Sequence, residues 1–107
     1  MTVANTKDNT MVEQAAFYTA RQQIMETGFV PEIEGAKVYK AQPGWECDQL
    51  KKDPNILPVH STLELESAVQ DPNCATIFVP KQSALTMEML DRVTARNAAT
   101  KTIFWEV

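Results

Sequence analysis

Glycine is scarce in this chain, three residues in 107, and none stands ahead of the first helical stretch (KDNTMVEQ). No glycine-rich turn therefore leads into that helix. Histidine is rarer still: His60 stands alone, and with Cys47 and Cys74 it cannot complete a four-ligand zinc site. The two cysteines form no C-x-x-C pair, so they are expected as free thiols in a reducing compartment. No apolar run approaches the ~20 residues of a membrane span. Met1 to Thr10 is polar, without arginine or an apolar stretch, unlike a secretory signal or transit peptide. The expected compartment is the cytoplasm, or an organelle matrix after removal of a targeting peptide. Basic residues are scattered, with no block longer than Lys51-Lys52, and the net charge is −4 at a pI near 4.9. Such a surface would repel a phosphate backbone, so nucleic acid is not expected as a partner.

What is present suits one small domain with a single continuous core: 44% hydrophobic and 22% charged residues. Residues 1–10 read as a flexible arm and 11–107 as the folded unit. Thr10 and Glu13 form a capping box that opens a helix over about 11–27, with Val12, Ala16, Ala20 and Ile24 in line and Gly28 as a left-handed stop. Ala36 to Ala41 alternates as a short strand ending at Pro43-Gly44. Residues 44–57 have no clean period and read as an irregular loop, and Pro58 to His60 as an extended piece. Ser61 and Glu64 make a second capping box, on a helix that buries Leu65, Ala68 and Val69 and ends at Asp71-Pro72. Ala75 to Val79 is a continuous apolar run, the mark of a strand covered on both faces. A third helix over 83–97 carries Leu85, Met89 and Val93, and Lys101 to Val107 is the last strand. This order predicts α/β architecture: a small, three- to four-stranded parallel Rossmann-like sheet with helices on both faces.

The stretch LPVHSTLELESAV, then ATIFVP, a helix, and KTIFWEV resembles the CoA-binding domain of the succinyl-CoA synthetase α subunit. Pro58-Val59, Val79-Pro80 and Trp105-Glu106 stand at that family's helix-opening, strand-closing and final-strand positions, and Gln42-Pro43-Gly44 at its Pro-Gly turn. The resemblance covers about 36–107, and 13–28 more loosely. It implies CoA or nucleotide binding at the carboxyl ends of the strands, where open α/β sheets take their ligands. The departures are equally specific. The opening strand and glycine-rich turn are missing, Trp45 replaces the lysine after Pro-Gly, and Trp105 replaces the threonine of the Thr-Glu pair. The family's phosphorylated histidine lies in a different domain. A degenerate member is implied, with CoA or nucleotide held weakly and no cofactor required. With its opening strand absent, such a sheet would carry an unpaired edge at its middle.

Candidate ligand residues are Lys40, Pro43, Gly44, Pro80, Lys81, Ser83 and Glu106, with Gln82 beside them, all at predicted strand ends. Each is equally readable as a solvated loop residue. Trp45 and Trp105 carry three readings: partner contact, adenine stacking or a cap on the core. His60 reads as a turn histidine and Cys74 as a structural thiol. No nucleophile or acid–base pair stands out, so no catalytic residue is assigned. The expected function is a non-catalytic accessory or interaction subunit of a larger assembly, working with another protein or as a homo-oligomer. The alternative is a small CoA- or nucleotide-binding regulator, with a small enzyme last.

Overall fold

In a computed structural model that describes residues 2–97 and 101–107, four helices flank a four-stranded, all-parallel sheet. In chain order the elements are α1 (Thr2–Thr27), β1 (Lys37–Ala41), α2 (Trp45–Lys52), β2 (Ile56–Pro58), α3 (Thr62–Gln70), β3 (Thr76–Val79), α4 (Met87–Asn97) and β4 (Thr102–Glu106), with a 3-10 turn at Lys81–Ser83. The strands lie in the order β1-β4-β3-β2. No described helix is long and apolar enough to cross a membrane.

Alternation along the strands builds two cores, one on each face. Ile103 of β4 and Ile77 and Val79 of β3 meet Leu65, Ala68 and Val69 of α3 and Leu90 and Val93 of α4. Phe104 and Phe78 point the other way, onto Cys47 and Leu50 of α2 and Ile24 of α1. Thus β3 is covered on both faces, as its unbroken apolar run predicts. The register aligns Ile77 with Ile103 and Val79 with Trp105, in parallel neighbouring strands. That is the adjacency expected of ATIFV and TIFWEV.

Both edges of the sheet are closed to pairing. The connection after α1 turns antiparallel beside β1: the Val30 amide donates to the Val38 carbonyl at 2.8 Å, and the Lys40 amide to Gly28 at 2.6 Å. Gly28 does not take the left-handed conformation foreseen for it; glycine is needed there for close approach. A Cβ on it would lie 2.2 Å from the Lys40 carbonyl oxygen. On the far edge, β2 turns the amide of Val59 toward Phe78 of β3, which leaves Ile56 and Pro58 facing outward. Ile56 donates to the Asp53 carbonyl, and proline has no N–H. The unpaired central edge is not found, because β4 fills the middle and pairs on both sides.

Other expectations shift with the geometry. Helix α1 begins at Thr2 rather than Thr10, so the arm expected over 1–10 is helical from residue 2 and the Thr10–Glu13 box lies inside the helix. The loop foreseen over 44–57 contains α2 and most of β2. The α4 helix starts at Met87 rather than 83, since Ala84 is left-handed (φ 59°) and Thr86 caps the helix, its Oγ1 accepting from the Met89 amide at 3.3 Å. The Ser61–Glu64 cap forms as expected, with the Glu64 amide 3.1 Å from Ser61 Oγ.

At the amino end of the sheet, buried Lys101 donates its ammonium to the carbonyls of Asp71, at 2.6 Å, and Cys74. Both acceptors lie just after α3, where the helix dipole favours a cation. Replacing Lys101 with methionine keeps the packing and removes the donor. Urea unfolding is expected to show a loss of about 1–3 kcal/mol, the usual penalty for stranding buried acceptors.

Candidate functional site

Ligands of open parallel sheets sit at the carboxyl ends of the strands, where connections from nearby strands leave toward opposite faces. Here β1 leads into α2 on one face and β3 leads toward α4 on the other, with β4 between them. The crevice therefore lies at the end of β4, and the residue standing there is Glu106.

Glu106 is 6% exposed. Its Oε1 accepts from the Lys81 amide at 3.0 Å, in the turn after β3, and its Oε2 lies 3.3 Å from Lys51 Nζ on α2. The Cys47 thiol, one turn before Lys51, lies close enough to this carboxylate to perturb it. Burial pushes the Glu106 carboxyl upward, but the Lys81 amide, the thiol and the Lys51 ammonium together outweigh it, and the net direction is down. The same pairing raises Lys51 above the ordinary lysine value. Burial, together with the hydrogen bond to the neighbouring carboxylate, pushes Cys47 up to about 12. A thiol so protonated is a donor and no nucleophile. Cys74 is likewise raised by burial.

The loop carrying Lys81 is fixed by local bonds. Ser83 donates its amide to the Pro80 carbonyl at 3.0 Å, and Ser83 Oγ accepts from Leu85 at 3.2 Å. Ala84 holds its left-handed backbone at a cost of roughly 1 kcal/mol. Pro43 precedes Gly44, which begins α2 at φ 154° and ψ −161°, a region almost closed to other residues.

Of the expected ligand residues, Pro80, Lys81 and Glu106 gather at this crevice. The others do not. Ser83 serves its own loop, and Pro43 and Gly44 start a helix. Lys40 lies on the opposite face, its Nζ 6.0 Å from the Trp105 ring. The tryptophans separate too: Trp105 packs with Met87 and Met89 against the α3–α4 core, whereas Trp45 opens α2 on the other face and is 48% exposed. Cys47 and Lys51 were missed because residues 44–57 read as a loop. The signal was there: Cys47, Leu50 and Lys51 have i, i+3, i+4 spacing, with acids Glu46 and Asp48 in the first turn and Lys51 and Lys52 in the last. His60 is exposed at the start of α3, its Nδ1 3.7 Å from Glu64. Among the described residues no group of three or more His, Cys, Asp or Glu side chains is placed to hold a metal.

The carboxylate bonds predict an acid-sensitive contribution to stability. Because the folded pKa of Glu106 lies below the unfolded one, its stabilisation is complete above the ordinary glutamate value of about 4.3 and is lost as pH falls through the folded value. Glu106→Gln should lower stability by about 1–2 kcal/mol at neutral pH. Chemical denaturation across pH 3–7 should show the difference from the wild type shrinking toward the acid end; a difference independent of pH would contradict the assignment.

No protein-family model, curated protein or solved structure matches this chain.

Proposed function

We propose that the chain is a non-catalytic interaction subunit of a larger protein assembly, built on a domain that resembles the CoA-binding one but no longer serves a phosphate ligand. One observation carries this reading: the crevice at the sheet's switch point is occupied by the chain's own carboxylate. Glu106 engages the Lys81 amide and the Lys51 ammonium, the kinds of donor that a ligand phosphate would use. A CoA or nucleotide phosphate arriving there would meet a buried negative charge and a Lys81 amide whose one N–H is already engaged. The neighbouring thiol is locked as a protonated donor, and no acid–base pair stands free beside it.

Interaction capacity lies in the exposed apolar side chains. Trp45, Leu57 and Leu63 are 48, 44 and 74% exposed, and large apolar groups left in water serve association more readily than chemistry. Trp45 is the contact residue of choice, whereas Trp105 belongs to the packing of the α3–α4 face. The compartment that fits is the cytoplasm or an organelle matrix, since Cys47 and Cys74 are free and lie in different cores.

Two measurements test this. Calorimetry with CoA or ATP is expected to give dissociation constants of about 1 mM or weaker, some 4 kcal/mol at most; a micromolar constant would reverse the reading in favour of a ligand-binding regulator. Trp45→Ala should leave the melting curve unchanged yet weaken capture of the partner from the native source by about tenfold, or 1.4 kcal/mol. Trp105→Ala should instead destabilise the fold by about 2–4 kcal/mol. Undiminished capture by a folded Trp45→Ala variant would move the interaction surface elsewhere.

A further inference from the structure

Immediately beside the closed crevice lies an open cleft of about 170 Å³ over the carboxyl ends of β2 and β3. Its floor is Leu50, Ile56 and Phe78, all nearly fully buried, and its walls are Pro58 and Pro80. Only two lining side chains carry polar tips, Lys51 and His60. A volume of this size holds roughly five or six waters at about 30 Å³ each, which matches a compact ligand of about six to ten non-hydrogen atoms and is far too small for a dinucleotide.

We propose that this cleft binds a small monocarboxylate with a flat or branched apolar body, its carboxylate held by Lys51 and His60 over the Leu50–Ile56–Phe78 floor. The chemistry of the lining selects the class. An apolar floor with a few convergent polar groups is the general form of a small-molecule site. An ammonium has three donors; Glu106 Oε2 engages one at 3.3 Å, and the side chain is 43% exposed, so the remaining donors reach the cleft mouth. Glu64 lies on the Nδ1 side of His60, which leaves Nε2 as the ring's second polar atom. No acidic side chain lines the cleft, so nothing there favours a cationic ligand. The carboxylate already on Lys51 shows the geometry the ammonium prefers. A ligand carboxylate adds a second acceptor to the same donor set without displacing Glu106.

The rigidity of the surroundings supports a preformed site. Pro58 and Pro80 fix the backbone on either side of the opening, the 3-10 turn after Pro80 is tied to Glu106 through Lys81, and Leu50 is anchored in the α1–α2 core. Little conformational entropy remains to be lost when a ligand enters.

Two-dimensional NMR of the full chain with benzoate, 3-methylbutanoate and the neutral analogue benzamide tests this directly. Both acids are expected to produce saturable shifts centred on Ile56, Phe78, Pro80 and His60, with dissociation constants on the order of a millimolar, and benzamide to bind at least tenfold more weakly. Lys51→Met should abolish the preference for acid over amide, and His60→Gln should weaken the acids about threefold. Glu106→Gln supplies a check that does not depend on the Lys51 variant folding: it frees the ammonium, so benzoate should bind more tightly. The proposal fails if the acids give no saturable shifts at 10 mM, if benzamide binds as well as benzoate, if the shifts centre on another surface, or if Glu106→Gln weakens binding while remaining folded.

Discussion

Insertion of β4 between β1 and β3 is the constraint on which the rest of the molecule depends. Its backbone supplies hydrogen-bond partners to both neighbours, and Ile103 and Phe104, both fully buried, fill one core each. Without β4 the sheet divides into the β2–β3 pair and a lone β1, and neither helical layer has a complete surface to cover. Because β4 follows all the other strands in sequence, its pairing with β1 spans most of the chain. Such long-range closure is the slow kind of contact to form, since loop entropy is lost before the contact repays it. The short connections within β2-α3-β3 are local by comparison, so the α3–α4 side can organise before β1 is joined.

The same strand decides the chemistry at the sheet's upper edge. A carboxylate taken out of water needs several partners at once, and Glu106 finds a backbone amide, an ammonium and a thiol from two other segments. That satisfaction stabilises the charge and removes reactivity: the thiol is held protonated, the ammonium is paired, and the switch-point crevice is full. One strand position gives a closed, satisfied network, while the adjacent pair of strand ends keeps an apolar cleft with Lys51 and His60 at its mouth. The open cleft of this sheet therefore lies beside, and not at, the switch point where open α/β sheets usually take their ligands.

The edges follow a related logic. An unpaired strand edge invites association through the backbone. This chain blocks one edge with its own Gly28–Val30 segment and the other with Pro58 and the Asp53 turn. What the described surface offers instead is side chains, with Tyr18, Phe29, Trp45, Leu57 and Leu63 as the large apolar groups left in solvent. Side-chain recognition can be specific to one partner, whereas an open edge pairs with almost any strand.

Layering was legible because it rests on local chemistry. The apolar run of Ala75–Val79, the alternation before Pro43-Gly44 and the Ser61–Glu64 cap each act within a few residues, and each appears where its pattern places it. The parallel α/β class follows from their order. Helix α2 was obscured by its brevity: eight residues show barely two turns of periodicity, and only the end charges marked them. The left-handed break at Ala84 was hidden as well, because alanine, unlike glycine or asparagine, does not mark a left-handed position. Pro80, Lys81 and Glu106 were identifiable as strand-end residues, but Lys40 points to the wrong face and Ser83 serves its own loop. By itself the sequence determined the parallel α/β class, the identity of the longer helices and of β1, β3 and β4, and the acidic net charge, since composition and short-range spacing govern all three. Tertiary structure alone decided that β4 sits in the middle, that Cys47, Lys51 and Lys81 converge on Glu106, and that the tryptophans part to opposite faces. Each of those depends on strand order, which couples residues far apart in the chain and leaves no trace in local spacing.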